Sequence, residues 1–423
     1  MPFSAVRKIL FTLLLFHSVA ALCQNMQKSK WEFHFNVQSG KLIKIYDPFP
    51  ENQFTGIIKG TVYRQTDGSS NWHHWQGYPS VGITAAMLYF HPDKILGTGI
   101  GLIPEMKYDF QFFNRKWYLH AGLGLAWFNR PYNPISNPEN RVIGAPLVNM
   151  TCIGMETTGL IHHRCNWSAG ISYTHCSNAH VAVPNIGANV VSIHVGLAFR
   201  SRQLVETEKK RDFEVNRINK IFPLIQLMAG VHEFPGTISP RDGLRYKKGG
   251  LCFGIEKIHT PFGRMNGHRS STARILRGKY GFGINAYYDQ ALYQFMVTQD
   301  LFPAEKNSRT KAMNLAFYGT YEWLFGRFAF FVQGGIDVYA PGKEALNKIW
   351  NLSKSTLLDR HTSNKIGYKF YFNSPVLENP KARQRSARIF AALAVKANGG
   401  TADYLEFSIG ASLVKIPVVN RSE

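Results

Sequence analysis

Bulky apolar residues recur at every second position over runs of about ten residues, and this spacing narrows the possible folds more than any other feature of the chain. From Trp117 to Trp127 the odd positions carry Trp117, Leu119, Ala121, Leu123, Leu125 and Trp127, and the even ones Tyr118, His120, Gly122, Gly124 and Ala126. Between Cys165 and Tyr173 the odd set is Cys165, Trp167, Ala169, Ile171 and Tyr173, against Asn166, Ser168, Gly170 and Ser172. From Asn189 to Phe199 the bulky set is Val191, Ile193, Val195, Leu197 and Phe199, with Ser192, His194, Gly196 and Ala198 between. A period of two places the two sets on opposite faces of a strand, so each strand separates two solvents. Ten residues is also the length at which a tilted strand crosses a bilayer. Small and polar side chains suit a barrel lumen, and apolar ones with aromatics near the strand ends suit a lipid-facing wall. A soluble sandwich would alternate too, but strands of this length without competing helical segments favour the barrel.

Similar runs recur to the end of the chain: Gly56–Arg64, Val81–Phe90, Leu96–Met106, Pro146–Glu156, Phe222–Val231, Gly250–Ile258, Tyr280–Met296, Met313–Leu324, Arg327–Tyr339, Ile366–Phe372, Arg388–Asn398 and Tyr404–Lys415. With the segments near Trp31, Trp117, Cys165 and Asn189, they predict an all-β, antiparallel transmembrane barrel of about 14 to 16 strands, where even numbers are the norm. One barrel over residues 24–423 is the primary expectation. The alternative is an eight-stranded barrel ending near Arg200, followed by a separate domain. Ser201–Lys220, charged and without apolar periodicity, is the candidate connection between an N-terminal half (24–200) and a C-terminal half (221–423). Val418–Glu423 lacks the terminal aromatic common in outer-membrane barrels.

The N-terminus predicts export. Arg7 and Lys8 precede an apolar stretch from Ile9 to Leu22, and Ala21-Leu22-Cys23 offers a cleavage site before Gln24. The stretch is too short for a membrane-spanning helix, and no long apolar run follows it. Leu22 argues against lipidation of Cys23. The formal net charge of +22 suits a phosphate-bearing partner. Export points away from nucleic acid and towards lipid head groups, although a spread-out basic surplus is also what a solvated surface carries.

Four cysteines follow the cleavage site: Cys152, Cys165, Cys176 and Cys252. A two-residue turn at Thr158-Gly159 would set Cys152 opposite Cys165, within disulfide reach. The competing reading is two small hydrophobes facing lipid. No C-x-x-C spacing points to zinc.

Chemistry concentrates after Tyr173, where the chain reads Thr174-His175-Cys176-Ser177-Asn178-Ala179, then Pro184-Asn185-Ile186-Gly187 and Asn189. His175 and Ser177 continue the outward register of Tyr173, and Asn189 begins the outward register of the next strand. A serine nucleophile needs a base, and an imidazole base needs a third group to fix its tautomer. Ser177, His175 and Asn189 have the residue types for those roles. Asn178 and Ala179, at the turn after the serine, could present backbone N–H groups to an oxyanion. The plain alternative is a polar strand end leaving the membrane at head-group level.

The run from Tyr173 to Val190 resembles the signature of the PagL-type lipid A 3-O-deacylases, outer-membrane barrels whose His-x-Ser-Asn motif supplies base and nucleophile. Trp75–Ile83, Gly122-Leu123-Gly124-Leu125, Asn137-Pro138-Glu139-Asn140 and Ala394–Gly410, with Ala402-Asp403-Tyr404-Leu405-Glu406-Phe407, are similar to the longer, exported acyloxyacyl hydrolase relatives. The resemblance implies His175 as general base and Ser177 as nucleophile. It implies no cofactor, and lipopolysaccharide in the outer membrane as substrate. Two positions depart from the family pattern. Asn189 stands where the short enzymes carry a glutamate, and an amide orients imidazole without stabilising imidazolium by charge. His180 stands where they carry a glycine, close to the oxyanion site.

Other clusters read more plainly. Adjacent residues on a strand face opposite ways, so Trp72-His73-His74-Trp75 fits an interfacial belt better than a metal site. His162-His163 reads as a solvated hairpin. Arg130 to Arg141 reads as a long loop whose two arginines could meet lipid phosphates; Lys381, Arg383, Arg385 and Arg388 form a second basic run. The competing function is a non-catalytic barrel, either pore or surface scaffold, for which a chain this long would make a wide lumen.

Overall fold

The structure, a computed structural model, describes residues 31–44, 49–51, 54–70, 72–73, 76–162, 164–200, 221–233, 244–258, 278–301, 309–349, 361–373, 387–398 and 401–413. The signal peptide expected over 1–23, the connection 201–220, His74, Trp75 and His163, and the basic residues Lys381, Arg383 and Arg385 lie outside them. Among the described residues there are sixteen strands, all paired antiparallel with their neighbours. The first eight are β1 (Trp31–Leu42), β2 (Phe54–Gln65), β3 (Ser80–His91), β4 (Thr98–Phe112), β5 (Arg115–Phe128), β6 (Leu147–His162), β7 (Cys165–Ser177) and β8 (Ala188–Arg200). The second eight are β9 (Ile221–Glu233), β10 (Arg245–Ile258), β11 (Gly278–Asp289), β12 (Met313–Phe325), β13 (Phe328–Tyr339), β14 (Asn364–Tyr371), β15 (Arg388–Asn398) and β16 (Thr401–Ser412). Two helices, α1 (Gln290–Thr298) and α2 (Pro341–Ile349), follow β11 and β13.

These strands do not join into the one large barrel that the alternation suggested. β8 returns to β1, with Glu32 opposite Arg200 and Leu42 opposite Val190. β16 returns to β9, with Leu405 opposite Val231. The result is two closed eight-stranded barrels, with the break near Arg200. Alternation decides which face a residue occupies, but what fills the lumen decides how tightly the sheet curls. Eight strands leave an interior just wide enough for side chains, and the inward positions supply them.

In the first barrel Lys107 Nζ donates to Glu32 Oε2 at 2.6 Å, and the Tyr63 hydroxyl and Thr84 Oγ1 each donate to Glu105 Oε2 at 2.7 Å. In the second, Lys279 pairs with Glu256 and Glu322, Lys369 with Glu322, and Lys365 with Glu406. A buried charge is tolerated only when paired and hydrogen-bonded, and these lumens meet that condition at many positions. The outward set is the reverse. Ile83, Leu102, Leu125, Ile171, Ile193 and Val195 on the first barrel, and Leu227, Phe253, Phe282 and Phe407 on the second, are exposed. Apolar surface on this scale, around polar interiors, is the wall of a membrane barrel.

Strand direction sorts the connections of the first barrel onto two rims. The ends where β2 meets β3, β4 meets β5 and β6 meets β7 share one rim; the ends where β1 meets β2 and β3 meets β4, with the 129–146 and 178–187 loops, share the other. Just inside this second rim lies an apolar plug that includes Leu88, Phe90, Phe128, Val142, Ile143, Met150, Cys176 and Val190. It backs the 178–187 loop from the lumen side.

Three levels of contact join the barrels. Gln76 Nε2 donates to the Leu324 carbonyl at 3.1 Å, with the Trp72 and Phe325 rings 5.9 Å apart beside it. Midway, the Tyr368 hydroxyl donates to the Leu123 carbonyl at 3.3 Å. At the loop rim, Glu233 meets the 178–187 loop. A tilted strand drifts around its barrel as it climbs, so a contact line along the axis crosses successive strands. The contacts do so, passing from the β2–β3 connection through β5 to the β7–β8 loop, and from the end of β12 through β14 to the end of β9.

Two expectations about individual segments are corrected. The run Tyr280–Met296 is not one strand. Asp289 accepts from the Ala291 and Leu292 backbone N–H groups, caps α1 and ends β11. β6 and β7 stay paired past Thr158-Gly159, so Cys152 stands opposite Thr174, and Cys165 opposite His162 at the far end. Cys152 is buried in the lumen, with its Sγ 3.6 Å from Thr174 Oγ1, and the predicted Cys152–Cys165 bridge does not form. Alkylation of the protein unfolded without reductant should therefore modify all four of Cys152, Cys165, Cys176 and Cys252, as read by intact mass. Two protected thiols would contradict this register.

Candidate active site

β7 and β8 bring the predicted pair together because their register sets His175 directly opposite Asn189. Side chains of directly opposed residues lie close enough to touch. His175 Nδ1 is 2.7 Å from Asn189 Oδ1, which also accepts the Tyr173 hydroxyl at 2.5 Å. An oxygen that takes the tyrosine proton is an acceptor, so His175 Nδ1 carries the hydrogen towards it. That leaves Nε2 with its lone pair free to act as a base. Tyr173 was read only as part of the outward register. Its place two residues before His175 was the signal that it shares this face.

Ser177 ends β7 on the same face and is buried beneath the 178–187 loop. Gly187 sits against both residues. A Cβ built there would lie 3.2 Å from His175 Cε1 and 3.6 Å from Ser177 Cβ, and its φ of 82° is one that glycine adopts without cost. The structure shows no hydrogen bond between His175 and Ser177. Ser177 Oγ instead accepts from Asn185 Nδ2 at 2.8 Å and the Ala179 backbone N–H at 3.3 Å.

Of the two residues expected at the oxyanion site, Ala179 turns its N–H towards Ser177 Oγ. The Asn178 N–H is already given to Asn185 Oδ1 at 3.1 Å, and the Asn178 side chain to the Ala182 carbonyl at 2.8 Å. Asn178 therefore orients Asn185, and Asn185 Nδ2 is the second donor at the nucleophile. Sequence reading passed over Asn185 as part of a Pro-Asn-Ile-Gly turn, because an asparagine in a turn usually serves its own backbone.

The loop reaches this shape through a costly backbone. Ala179 and His180 have φ of 53° and 57°, a region that costs a non-glycine residue about 1–2 kcal/mol. His180 thus occupies a position that glycine would take freely. Neighbouring chain holds the strain. Ile186 N–H donates to the Arg141 carbonyl and Gly187 N–H to the Val142 carbonyl, at 3.1 and 3.0 Å. Gly144 packs so closely that an added Cβ would meet the Pro184 and Ala182 carbonyls. The 129–146 loop is itself tied by the buried Asn140, which donates to the Arg130 carbonyl at 2.6 Å and accepts from the Val142 and Ile143 N–H groups. Arg130 and Arg141 are exposed on this rim.

Among the described residues one group could converge on a metal ion: His120, Glu156 and His194, whose ligand atoms lie within 4.8 Å of one another. It belongs to the lumen, on the opposite face of the wall from His175, and His194 Nε2 lies 3.2 Å from Glu156 Oε2 within the packed polar network.

Residues 58–198 match the PagL family, described as lipid A 3-O-deacylase. The match runs from within β2 to within β8 and includes His175, Ser177, Asn178, Asn185 and Asn189, so the resemblance read from the sequence is met over the first barrel. No curated protein matches the chain. Solved structures similar to it include the outer-membrane enzyme PagL, at 20% identity over 38% of this chain and 97% of that one, with a TM-score of 0.28. Neisserial surface protein A is similar at 9% identity over 41% and 97%, TM-score 0.29. The Acinetobacter baumannii outer membrane protein Omp33 is similar at 8% identity over 92% and 100%, TM-score 0.14.

Proposed function

We propose that the first barrel is an outer-membrane esterase that removes a 3-O-linked hydroxyacyl chain from the lipid A of lipopolysaccharide. The observation that carries this reading is the His175–Asn189 pair beside Ser177, at the rim of a lipid-facing wall and inside the stretch that matches PagL. Ser177 Oγ attacks the ester carbonyl and passes its proton to His175 Nε2. In this reading the Ala179 N–H and Asn185 Nδ2, which donate to Ser177 Oγ at rest, turn to the carbonyl oxygen as it becomes an oxyanion. His175 then protonates the departing sugar oxygen, and water, activated by the same imidazole, releases the acid from the serine. Ester hydrolysis by this route uses groups of the chain itself and water.

The outward position of the site suits such a substrate. Ile171, Tyr173, Val191 and Ile193 are exposed below it on β7 and β8, an apolar track along which acyl chains can lie. Arg130 and Arg141 at the rim are placed to meet the phosphates. A pore is the weaker alternative, because its support was a wide lumen and ion pairs fill both of these narrow ones.

Mass spectrometry of lipid A from outer membranes with and without the intact protein tests the reading. Loss of one hydroxyacyl mass is the expected result. Unchanged lipid A from membranes holding the folded protein would leave a non-catalytic scaffold in its place.

A further inference from the structure

We propose that Glu233, the last residue of β9 in the second barrel, is a positioning residue for the 178–187 loop of the first, so that the second barrel sets the shape of the candidate active site. Two hydrogen bonds carry this inference, and they run in opposite directions. The Val183 N–H donates to Glu233 Oε2 at 2.8 Å, and the Glu233 N–H donates to the His180 carbonyl at 3.0 Å. Together they grip both ends of the four-residue segment 180–183. That segment lies between the left-handed pair Ala179 and His180 and the reaching Asn185.

The rest of the loop is held from within the first barrel. Ile186 and Gly187 donate to the 129–146 loop, and Asn178 is bonded to Ala182 and Asn185. The outer segment is where the second barrel contributes. A left-handed pair of non-glycine residues persists only where contacts over-determine it, and the His180 carbonyl is fixed by Glu233. The His180 imidazole is enclosed by the same rim. Burial lowers its pKa, with Asp403 opposing and His232 and Lys248 adding to the effect, and all three belong to the second barrel. Glu233 is buried, and its hydrogen bonds to the loop fall at Val183 and His180. Its influence on the chemistry passes through Val183 and His180 to Ala179 and Asn185, the two donors at Ser177 Oγ.

The alternative is that Glu233 merely joins the barrels, as Gln76 and Tyr368 do lower down. Full-length Glu233→Ala and Glu233→Gln proteins separate the two. Glutamine keeps an acceptor for Val183, alanine does not, and both keep the backbone N–H that meets His180. Barrel closure at β9 uses backbone pairing, so both variants should retain heat-modifiable gel mobility. Hydrogen exchange followed by mass spectrometry should show amides in 180–185 exchanging about 10-fold faster in Glu233→Ala and at the parent rate in Glu233→Gln. The activity arm rests on the deacylase reading. There kcat should fall about 10-fold in Glu233→Ala with KM little changed, and return in Glu233→Gln. Parent-rate exchange in Glu233→Ala, or an equal loss of activity in both variants, would overturn the proposal. If the parent protein left lipid A unchanged, the deacylase reading would fail, while the exchange measurement would still decide whether Glu233 holds the loop.

Discussion

Ser177→Ala should lower the rate of lipid A deacylation by about 10³-fold or more, with the barrel still folded. The size follows from the role, because without the hydroxyl no acyl-enzyme can form and only binding and the oxyanion donors are left to help water. Stability should change far less. Asn185 Nδ2 and the Ala179 N–H lose one shared acceptor, a cost of about 1 kcal/mol for each bond. Heat-modifiable mobility therefore serves as the control for folding. His175→Ala should lose a comparable factor, and the double variant should lose little more than either alone, because groups that act as one unit are not additive. The readout is the hydroxyacyl mass lost from lipid A over time. A Ser177→Ala protein that deacylates at the parent rate would remove the serine from the mechanism, whatever the family match implies.

Much of this site could be read before the fold was known, for reasons that also explain what was missed. The period of two put His175, Ser177 and Tyr173 on one face without any knowledge of barrel size. Asn189 followed from the outward register of the next strand, and β7 and β8 pair as that register requires. Asn185 could not be read in this way. It reaches Ser177 across a loop whose path depends on left-handed residues at Ala179 and His180 and on the 129–146 loop behind it. Periodicity says nothing about such a path. The side chain that reaches Ser177 Oγ is therefore Asn185 rather than Asn178, one step along a hydrogen-bonded pair. The Cys152–Cys165 expectation failed for a related reason. A two-residue turn at Thr158-Gly159 fits the local sequence, while the strands run on to His162 and set Cys152 opposite Thr174.

The number of barrels was hidden for a different physical reason. Sixteen alternating segments are compatible with one ring or two, since alternation carries no information on curvature. Closure depends on which edge strands find each other, and that depends on the inward set. Lys107 on β4 with Glu32 on β1, or Lys369 on β14 with Glu256 on β10, make sense only if walls that are not neighbours are close enough for their side chains to meet. In a sixteen-stranded ring those charges would face water. Lysines and glutamates at inward positions on distant strands were thus the available signal for two narrow barrels. Reading it would have required pairing residues as far apart in sequence as Lys107 and Glu32.

Asn189 offers the second large effect, and one of opposite sign depending on the replacement. Its Oδ1 holds both the His175 Nδ1–H and the Tyr173 hydroxyl, so the amide already selects the tautomer that leaves Nε2 basic. Asn189→Leu removes that acceptor while keeping the branched shape of the side chain. The imidazole loses its orientation, and the rate should fall about 10²-fold, a share typical of a positioned general base. Asn189→Asp keeps the geometry and adds what an amide lacks, a negative charge facing the imidazolium formed when Ser177 gives up its proton. A hydrogen bond to a charged acceptor is about twice as strong as a neutral one, and the rate should rise by about 10-fold. Deacylation rates of the two variants beside the parent, at saturating lipid A, decide the matter. Asn189→Leu at the parent rate would mean that the tautomer is set elsewhere. Asn189→Asp slower than the parent would mean that the site is built around a neutral partner, with Tyr173 as the donor that makes the amide sufficient.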